Sequence, residues 1–135
     1  MKLLLKENKN KYLSCDLNES ISADFHCDAI DLLNYVSEQS FDAIIALEVL
    51  EHSPRIWQLP EVFYKLLKKN GVLYVSTPFY LYHHDPHPDY WRFTEEGYYE
   101  LFHKYFYLDI TKIIFDNERL KPVHFRVKAT KRPNT

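Results

Sequence analysis

The pattern of apolar and polar positions between residues 41 and 78 predicts one βαβ unit. Phe41 opens an apolar run of strand length that stops at acidic residues, and a second β-rich run extends from Gly71 to Pro78. Pro60 suits the first turn of an intervening helix, and Asn70 with Gly71 can end it. The apolar face of that helix follows the i, i+3, i+4, i+7, i+8 spacing and comprises Leu59, Val62, Phe63, Leu66 and Leu67. Strands joined through such a helix pair in parallel, so we expect an α/β fold.

Shorter patterns extend this unit in both directions. Residues 3–7 resemble the end of a helix, and residues 12–17 and 23–28 are typical of short strands that each end in an aspartate. Residues 30–36 suggest a short helix or turn. Downstream, Thr94 can cap a helix with an acidic first turn, and residues 107–115 and 123–129 alternate as two strands do. The expected buried face of this last helix is Tyr98, Leu101, Phe102, Tyr105 and Phe106.

Composition narrows the class of protein. The chain has 135 residues, of which 46% are hydrophobic and 16% aromatic, so we expect one globular domain over residues 1–135. The formal net charge of -2 gives no electrostatic reason to expect a nucleic-acid partner. Cys15 and Cys27 lie in separate predicted strands without metal-ligand spacing, which favours buried, reduced thiols. No apolar run has the length of a signal peptide or a membrane span, so we expect a cytoplasmic protein without a membrane partner.

Four segments in a fixed order resemble the second half of a class I S-adenosylmethionine-dependent methyltransferase domain of type 11. They are Phe41-Asp42, Glu48-Val49-Leu50-Glu51-His52, residues 66–71, and His87-Pro88-Asp89-Tyr90-Trp91-Arg92-Phe93-Thr94. The likeness covers roughly residues 3–110. It implies a Rossmann-like, mostly parallel sheet with flanking helices and a C-terminal antiparallel strand pair. It also implies that S-adenosyl-L-methionine is the cofactor and that the acceptor of its methyl group is a small molecule or a glycan.

The same resemblance implies a set of cofactor-binding residues. Asp16 matches the acidic residue that bonds both ribose hydroxyls, because a carboxylate offers two acceptor oxygens to a vicinal diol. The alternative is a loop aspartate or a helix cap. Asp28 matches the residue that meets the adenine amino group, although Asp24 or Asp31 would take that role if the strand boundary shifts. The full predicted set is Asp16, Leu17, Asp28, Ala29, Leu47 and Glu48.

Catalytic and acceptor-binding candidates follow the central strand. Glu51 and His52 could orient an acceptor or take its proton, since imidazole titrates near neutral pH, but His52 could equally pack against the strand ends. Methyl transfer depends largely on proximity and orientation, so no general base is required. The loop beyond the second strand supplies the substrate-binding candidates, with Asp89 or Glu95 expected to pair with an arginine. These candidates are His83, His87, Tyr90, Trp91 and Arg92.

Two features of the sequence leave other functions open. Gly71 and Gly97 are the two glycines of the chain, so the glycine-rich turn that admits the methionyl part of the cofactor in the family it resembles has no counterpart. We therefore expect a domain that is incomplete at its N-terminus and lacks the first strand. Three explanations are possible. The strands on either side of the missing one pair with each other, a second copy or a partner chain supplies the strand, or the sequence is a truncated product. One alternative function is a non-catalytic remnant that binds a partner.

A metal-dependent enzyme built on residues 83–89 is the less favoured alternative. Imidazoles and carboxylates are ligand types for zinc or iron, but His83 and His84 are adjacent and do not readily face one centre. Pro86 and Pro88 also stiffen the turns between the other candidate ligands. We therefore predict no metal site.

Overall fold

The computed structural model describes residues 2–8, 11–81, 88–113 and 123–133. Within these ranges the strands are β1 (Lys2–Asn8), β2 (Lys11–Cys15), β3 (Phe41–Leu47), β4 (Leu67–Pro78), β5 (Phe106–Ile113) and β6 (His124–Lys131). The helices are α1 (Leu59–Leu66) and α2 (Glu95–Phe102), and single 3₁₀ segments occupy Ala29–Asn34, Leu50–His52 and Ile56–Gln58. The strands form one mixed sheet in the order β2-β1-β3-β4-β6-β5. This is the expected Rossmann-like α/β architecture, but the described sheet is mixed rather than mostly parallel, because of its five adjacent pairs only β3 and β4 are parallel.

The central βαβ unit is confirmed. β3 and β4 pair in parallel, and α1 joins them with its apolar face buried. The helix ends at Leu66, earlier than predicted, because Leu67 already pairs with Phe41. The chain then bulges before the regular pairing begins at Val72, and Asn70 takes a left-handed conformation with φ 61°. A Cβ at Gly71 would lie 2.9 Å from the Lys68 carbonyl oxygen, so this tight bulge requires glycine.

The N-terminal segment corrects one prediction. Residues 3–7 are not the end of a helix; they belong to β1, which pairs antiparallel with both β2 and β3. A short apolar run has too few turns to be stable as a helix, whereas a strand here gains hydrogen bonds on both sides. β1 therefore separates β2 from β3, so these two strands do not close up on each other, which was one of the three possibilities left open by the sequence. The parallel first strand of the usual order is not found within the described ranges, and β1 takes its place.

The orientation of β1 preserves the edge at which ligands bind. Because β1 is antiparallel to both neighbours, β2 and β3 run in the same direction and end at the same edge of the sheet. The predicted strand over residues 23–28 is not formed. It is reduced to one parallel bridge between Phe25 and Cys15, since Asp24 bonds back to Ser14 and turns the chain away.

Both helices pack on the same face of the sheet. Tyr98 of α2 contacts Phe125 of β6 with ring centroids 6.1 Å apart, and Tyr64 of α1 contacts Phe106 of β5 at 6.2 Å. On the opposite face Tyr74 is 41% exposed. The described chain thus has two layers, with the core between the sheet and its helices.

The C-terminal half follows the predicted order of elements, but α2 ends at Phe102 and Phe106 already belongs to β5, where it pairs with Lys131. Thr94 caps α2 by accepting a hydrogen bond from the Gly97 backbone at its hydroxyl oxygen, 3.1 Å away. Tyr98 and Phe102 are fully buried. β5 and β6 pair antiparallel as expected, and residues 114–122 between them lie outside the described residues. In the part of the chain that is described, no helix has the length and apolar character needed to cross a membrane.

Candidate functional site

A cavity of about 490 Å³ opens at the edge where β2 and β3 end. Its walls come from residues 15–19 after β2, residues 27–29 at the start of the first 3₁₀ segment, and Val49 with residues 52–54 after β3. Pro88 and Tyr90 complete the rim. A crevice beyond the ends of parallel strands is where α/β sheets bind ligands, and the volume suits a small organic molecule.

Asp16 lies on the cavity wall and is 3% exposed. It directly follows β2, and its backbone N–H donates to the Phe25 carbonyl oxygen at 3.1 Å, which fixes the residue against the next segment. One carboxylate oxygen accepts the Asn18 backbone N–H at 2.9 Å, as aspartates do in turns. Leu17 beside it is 61% exposed at the cavity mouth. The structure therefore positions the Asp16 carboxylate through a turn and brings it to the cavity.

The structure distinguishes the three aspartates considered for the adenine end. Asp28 lines the cavity with Ala29 and caps the 3₁₀ segment by accepting the Ile30 backbone N–H at 3.2 Å. Asp24 instead accepts the backbone N–H and the hydroxyl of Ser14, at 2.7 and 2.8 Å. Asp31 is exposed and does not line the cavity. Asp28 is thus the one of the three that lines the cavity.

The residues that directly follow the central strand lie beside the cavity rather than on its wall. Leu47 is 50% exposed. Glu48 has a left-handed backbone with φ 53°, an unusual conformation for a non-glycine residue. Its carboxylate accepts the Ser76 hydroxyl at 2.9 Å and lies 3.5 Å from His124 Nε2. Val49 lines the cavity instead, and it was missed because an apolar residue after a strand carries no chemical signal.

Glu51 and His52 share one 3₁₀ segment but have different surroundings. Glu51 is fully buried, and its carboxyl oxygens find no hydrogen-bond partner within the described part of the chain. Burial, reinforced by the Glu48 and Asp89 carboxylates, raises the pKa of Glu51 to about 8. His52 lines the cavity, and its Nδ1 lies 2.8 Å from the Pro88 carbonyl oxygen. Of the two predicted catalytic residues, His52 is the one that reaches the cavity.

The segment after residue 87 is held against this 3₁₀ turn. The Tyr90 N–H donates to the Glu51 carbonyl oxygen at 2.7 Å, and Trp91 Nε1 donates to the Ser53 carbonyl oxygen at 2.8 Å. Arg92 pairs with Asp89 through two hydrogen bonds of 2.5 and 2.7 Å, as the sequence predicted for one of two acidic residues. The other acidic residue, Glu95, pairs with Lys112 at 2.6 Å. Trp91 and Arg92 therefore secure the segment that presents Tyr90 to the cavity.

The histidine-rich loop lies largely outside the described residues. His83 and His87 fall there, so the structure does not place these two substrate-binding candidates. Across the described ranges, no group of three or more histidine, cysteine, aspartate or glutamate side chains is arranged to hold a metal ion.

The cavity fits the nucleoside part of S-adenosylmethionine. Asp16 and Asp28 offer carboxylate acceptors, and Ala29 with Val49 offers apolar surface to a purine ring. No glycine-rich turn stands beside it in the described chain, because Gly71 lies in the bulge within β4 and Gly97 in α2. The carboxylate acceptors therefore match the adenosine end of such a cofactor, and the described chain has no counterpart of the usual cradle for the methionyl end.

Comparisons with known proteins agree with this geometry. Residues 3–75 match the family model described as a methyltransferase domain. The fold is similar to a SAM-dependent methyltransferase from Archaeoglobus fulgidus, with a TM-score of 0.68, 17% identity, and coverage of 87% of this chain and 74% of that one. It is also similar to a SAM-dependent methyltransferase from Thermotoga maritima, with a TM-score of 0.63, 16% identity, and coverage of 77% and 61%.

A third similar structure contains a product of the cofactor. It is the 1,6-didemethyltoxoflavin-N1-methyltransferase of Burkholderia thailandensis with bound S-adenosylhomocysteine, with a TM-score of 0.62, 18% identity, and coverage of 88% and 60%. This chain thus spans about three fifths of the length of two of these relatives. No curated protein sequence matches it.

Proposed function

Because this chain belongs to the methyltransferase-domain family, we propose that it binds S-adenosyl-L-methionine in the cavity at the ends of β2 and β3. The methyl group would pass to a small-molecule or glycan acceptor. The observation that carries the proposal is the buried Asp16 carboxylate on the cavity wall, directly after a strand that runs parallel in direction to β3.

Each wall of the cavity has a distinct task in this proposal. The Asp16 carboxylate accepts hydrogen bonds from the two ribose hydroxyls, and the Asp28 carboxylate accepts one from the adenine amino group. Ala29 and Val49 remove the faces of the purine from water. The bound cofactor supplies an electrophilic methyl carbon on a sulfonium sulfur. The protein contributes mainly orientation, which is the chief requirement of an in-line displacement.

His52 and Tyr90 are the proposed acceptor-side residues. The Pro88 carbonyl oxygen can only accept, so at neutral charge the His52 ring carries its hydrogen on Nδ1 and leaves Nε2 as the basic nitrogen. Tyr90 is 50% exposed on the cavity rim, where a ring and a hydroxyl can contact an incoming acceptor. His52 Nε2 lies 3.9 Å from Glu51 Oε1, so an acceptor that must lose a proton would have to reach this nitrogen beside the Glu51 carboxyl group.

A non-catalytic, partner-binding domain is the second candidate. The absence of a glycine-rich turn from the described chain favours it, because β1 fills the central position of the sheet without that turn. This candidate predicts a folded protein that binds no cofactor.

Calorimetric titration and thermal shift with S-adenosylmethionine and S-adenosylhomocysteine test the proposal on wild type, Asp16→Asn and the control Asp109→Asn. Asp109 is an exposed aspartate of β5 that does not line the cavity. Ligand at a hundred times its dissociation constant stabilises a folded protein by about 2.7 kcal/mol, on the order of ten degrees in a domain of this size. We expect binding to wild type and the control and its loss in Asp16→Asn.

Two results would contradict the proposal in different ways. Equal binding by Asp16→Asn and wild type would mean that the ligand occupies another site. No binding to well-folded wild type would reject cofactor use and favour the partner-binding alternative.

A further inference from the structure

The two cysteines of the chain meet in the wall of the candidate cavity. Cys15 ends β2 and Cys27 comes two residues before the first 3₁₀ segment, and both line the cavity. Their Sγ atoms are 3.5 Å apart, and the Cys15 thiol donates to the Cys27 carbonyl oxygen at 3.2 Å. The sequence placed them in separate strands as unrelated buried thiols. Folding makes them a contacting pair.

The backbone holds the two segments side by side around this pair. The Phe25 N–H donates to the Ser14 carbonyl oxygen at 3.0 Å, and the Asp16 N–H donates to the Phe25 carbonyl oxygen at 3.1 Å. A disulfide bond is about 2.05 Å long, so the sulfurs need to approach by only about 1.5 Å. Side-chain rotation can supply much of that movement while the backbone bridge stays in place.

We propose that Cys15 and Cys27 form a reversible intramolecular disulfide that lowers the affinity of the cavity for its ligand. Only the identity of the ligand rests on the proposed function. The oxidant is a peroxide. The half-buried Cys27 attacks one peroxide oxygen as its thiolate, which breaks the O–O bond and leaves a sulfenic acid and hydroxide. The Cys15 thiolate then attacks that sulfur and expels a second hydroxide, and the two thiol protons convert both hydroxides to water.

The reduced pair is stable until such an oxidant arrives. Burial raises the pKa of Cys15 to about 12 and raises the pKa of Cys27, so little thiolate is present near neutral pH. Cys27 is the more accessible of the two and faces the cavity, whereas Cys15 is 3% exposed. A ligand in the cavity would cover Cys27 and slow its oxidation.

Oxidation of the cysteine pair would change the affinity for the ligand through the neighbouring carboxylates. Asp16 directly follows Cys15, and Asp28 directly follows Cys27. Drawing the sulfurs together ends the hydrogen bond from the Cys15 thiol to the Cys27 carbonyl oxygen. The part of the approach that side-chain rotation does not supply would move the backbone that carries Asp16 and Asp28. We expect affinity for S-adenosylhomocysteine to fall at least about tenfold, since the site needs both acceptors in position.

The test uses the full chain, treated with hydrogen peroxide and freed of excess oxidant. Intact mass should fall by about 2 Da, both thiols should disappear from a thiol titration, and dithiothreitol should restore both readings. Since the chain has two cysteines, a monomer that shows this change contains this bond. Titration with S-adenosylhomocysteine should then show weak binding to oxidised protein and recovered binding after reduction. Cys27→Ala, whatever its own affinity, should show the same affinity before and after peroxide.

Several outcomes would overturn the inference. Retention of both thiols, a disulfide-linked dimer, or sulfinic acid in place of the disulfide would show that the pair does not close. A disulfide with unchanged affinity would show that it does not control the cavity. If reduced wild type binds no ligand, the proposed function fails instead, and the mass and thiol count still decide whether the bond forms. Amide exchange over residues 14–29 would then show whether it alters the wall.

Discussion

The buried carboxyl group of Glu51 should make the protein less stable as the pH rises. Burial, with the Glu48 and Asp89 carboxylates nearby, raises its pKa from 4.5 to about 8 in the folded protein. The unfolded chain exposes this group to water, where it keeps its ordinary pKa. Between these two values the folded state holds a proton that the unfolded state has lost. Its contribution to stability is therefore fully present below pH 4.5 and is lost as the pH rises through about 8.

The size of the effect follows from the two pKa values. The change from 4.5 to about 8 spans about 3.5 pH units, and each unit is worth about 1.4 kcal/mol, so the full effect is about 5 kcal/mol. At pH 7 about 3 kcal/mol of it has already been lost. Domains are typically stable by only about 5–15 kcal/mol, so one carboxyl group removes a considerable part of the total.

Urea unfolding of wild type and Glu51→Gln at pH 5, 6, 7 and 8 measures this effect. Glutamine has the same shape and no charge at any of these pH values, so the variant should match wild type near pH 5 and exceed its free energy of unfolding by about 4 kcal/mol at pH 8. Glu61→Gln serves as the control, because Glu61 is exposed, pairs with Lys65 at 2.8 Å, and has a lowered pKa. A difference between Glu51→Gln and wild type that stays constant with pH, or grows toward acid, would refute the reasoning.

Three further predictions concern the segment at the cavity, the core and the assembly. Arg92→Ala removes the bidentate ion pair with Asp89, whose side chain is 1% exposed. We expect the free energy of unfolding in urea to fall by about 3 kcal/mol. A decrease of less than about 0.5 kcal/mol would contradict this prediction. Tyr98→Phe removes the buried hydrogen bond to Thr77. The free energy of unfolding, measured in urea, should fall by about 1–2 kcal/mol. Unchanged stability would show that this bond contributes nothing. A homodimer or a partner chain, one of the alternatives that the sequence left open for the missing strand, stays a prediction. For a homodimer, light scattering should give twice the 16.3 kDa chain mass. A monomeric mass would exclude the homodimer and leave the partner chain as the alternative.

Local patterns predicted the elements that depend on neighbours in the sequence. The apolar face of α1 and the Thr94 cap of α2 rest on contacts within a few residues, so spacing was enough to locate them. The parallel pairing of β3 and β4 followed from the length of the helical connection between them. Asp16, Asp28 and His52, which line the cavity, could be singled out in the sequence because a polar residue directly after a strand or at a helical turn stands out from its apolar surroundings.

The N-terminal segment could not be assigned from its own residues. A run of three leucines between lysines suits a helix end and a strand equally well at this length. The segment forms a strand because the backbone groups of β2 and β3 both form hydrogen bonds with those of β1. These partners are distant in the chain, so no local window contains them.

By itself the sequence determined the α/β class, the central βαβ unit and the kinds of side chain at the edge of the sheet, because these follow from periodicity and residue chemistry. The tertiary structure decided which of those side chains share one cavity. It removed Glu51 from the cavity and from water, placed Val49 on the wall, and joined Cys15 to Cys27. Burial and distance between segments depend on how the whole sheet is assembled, and that information is absent from any single stretch of the chain.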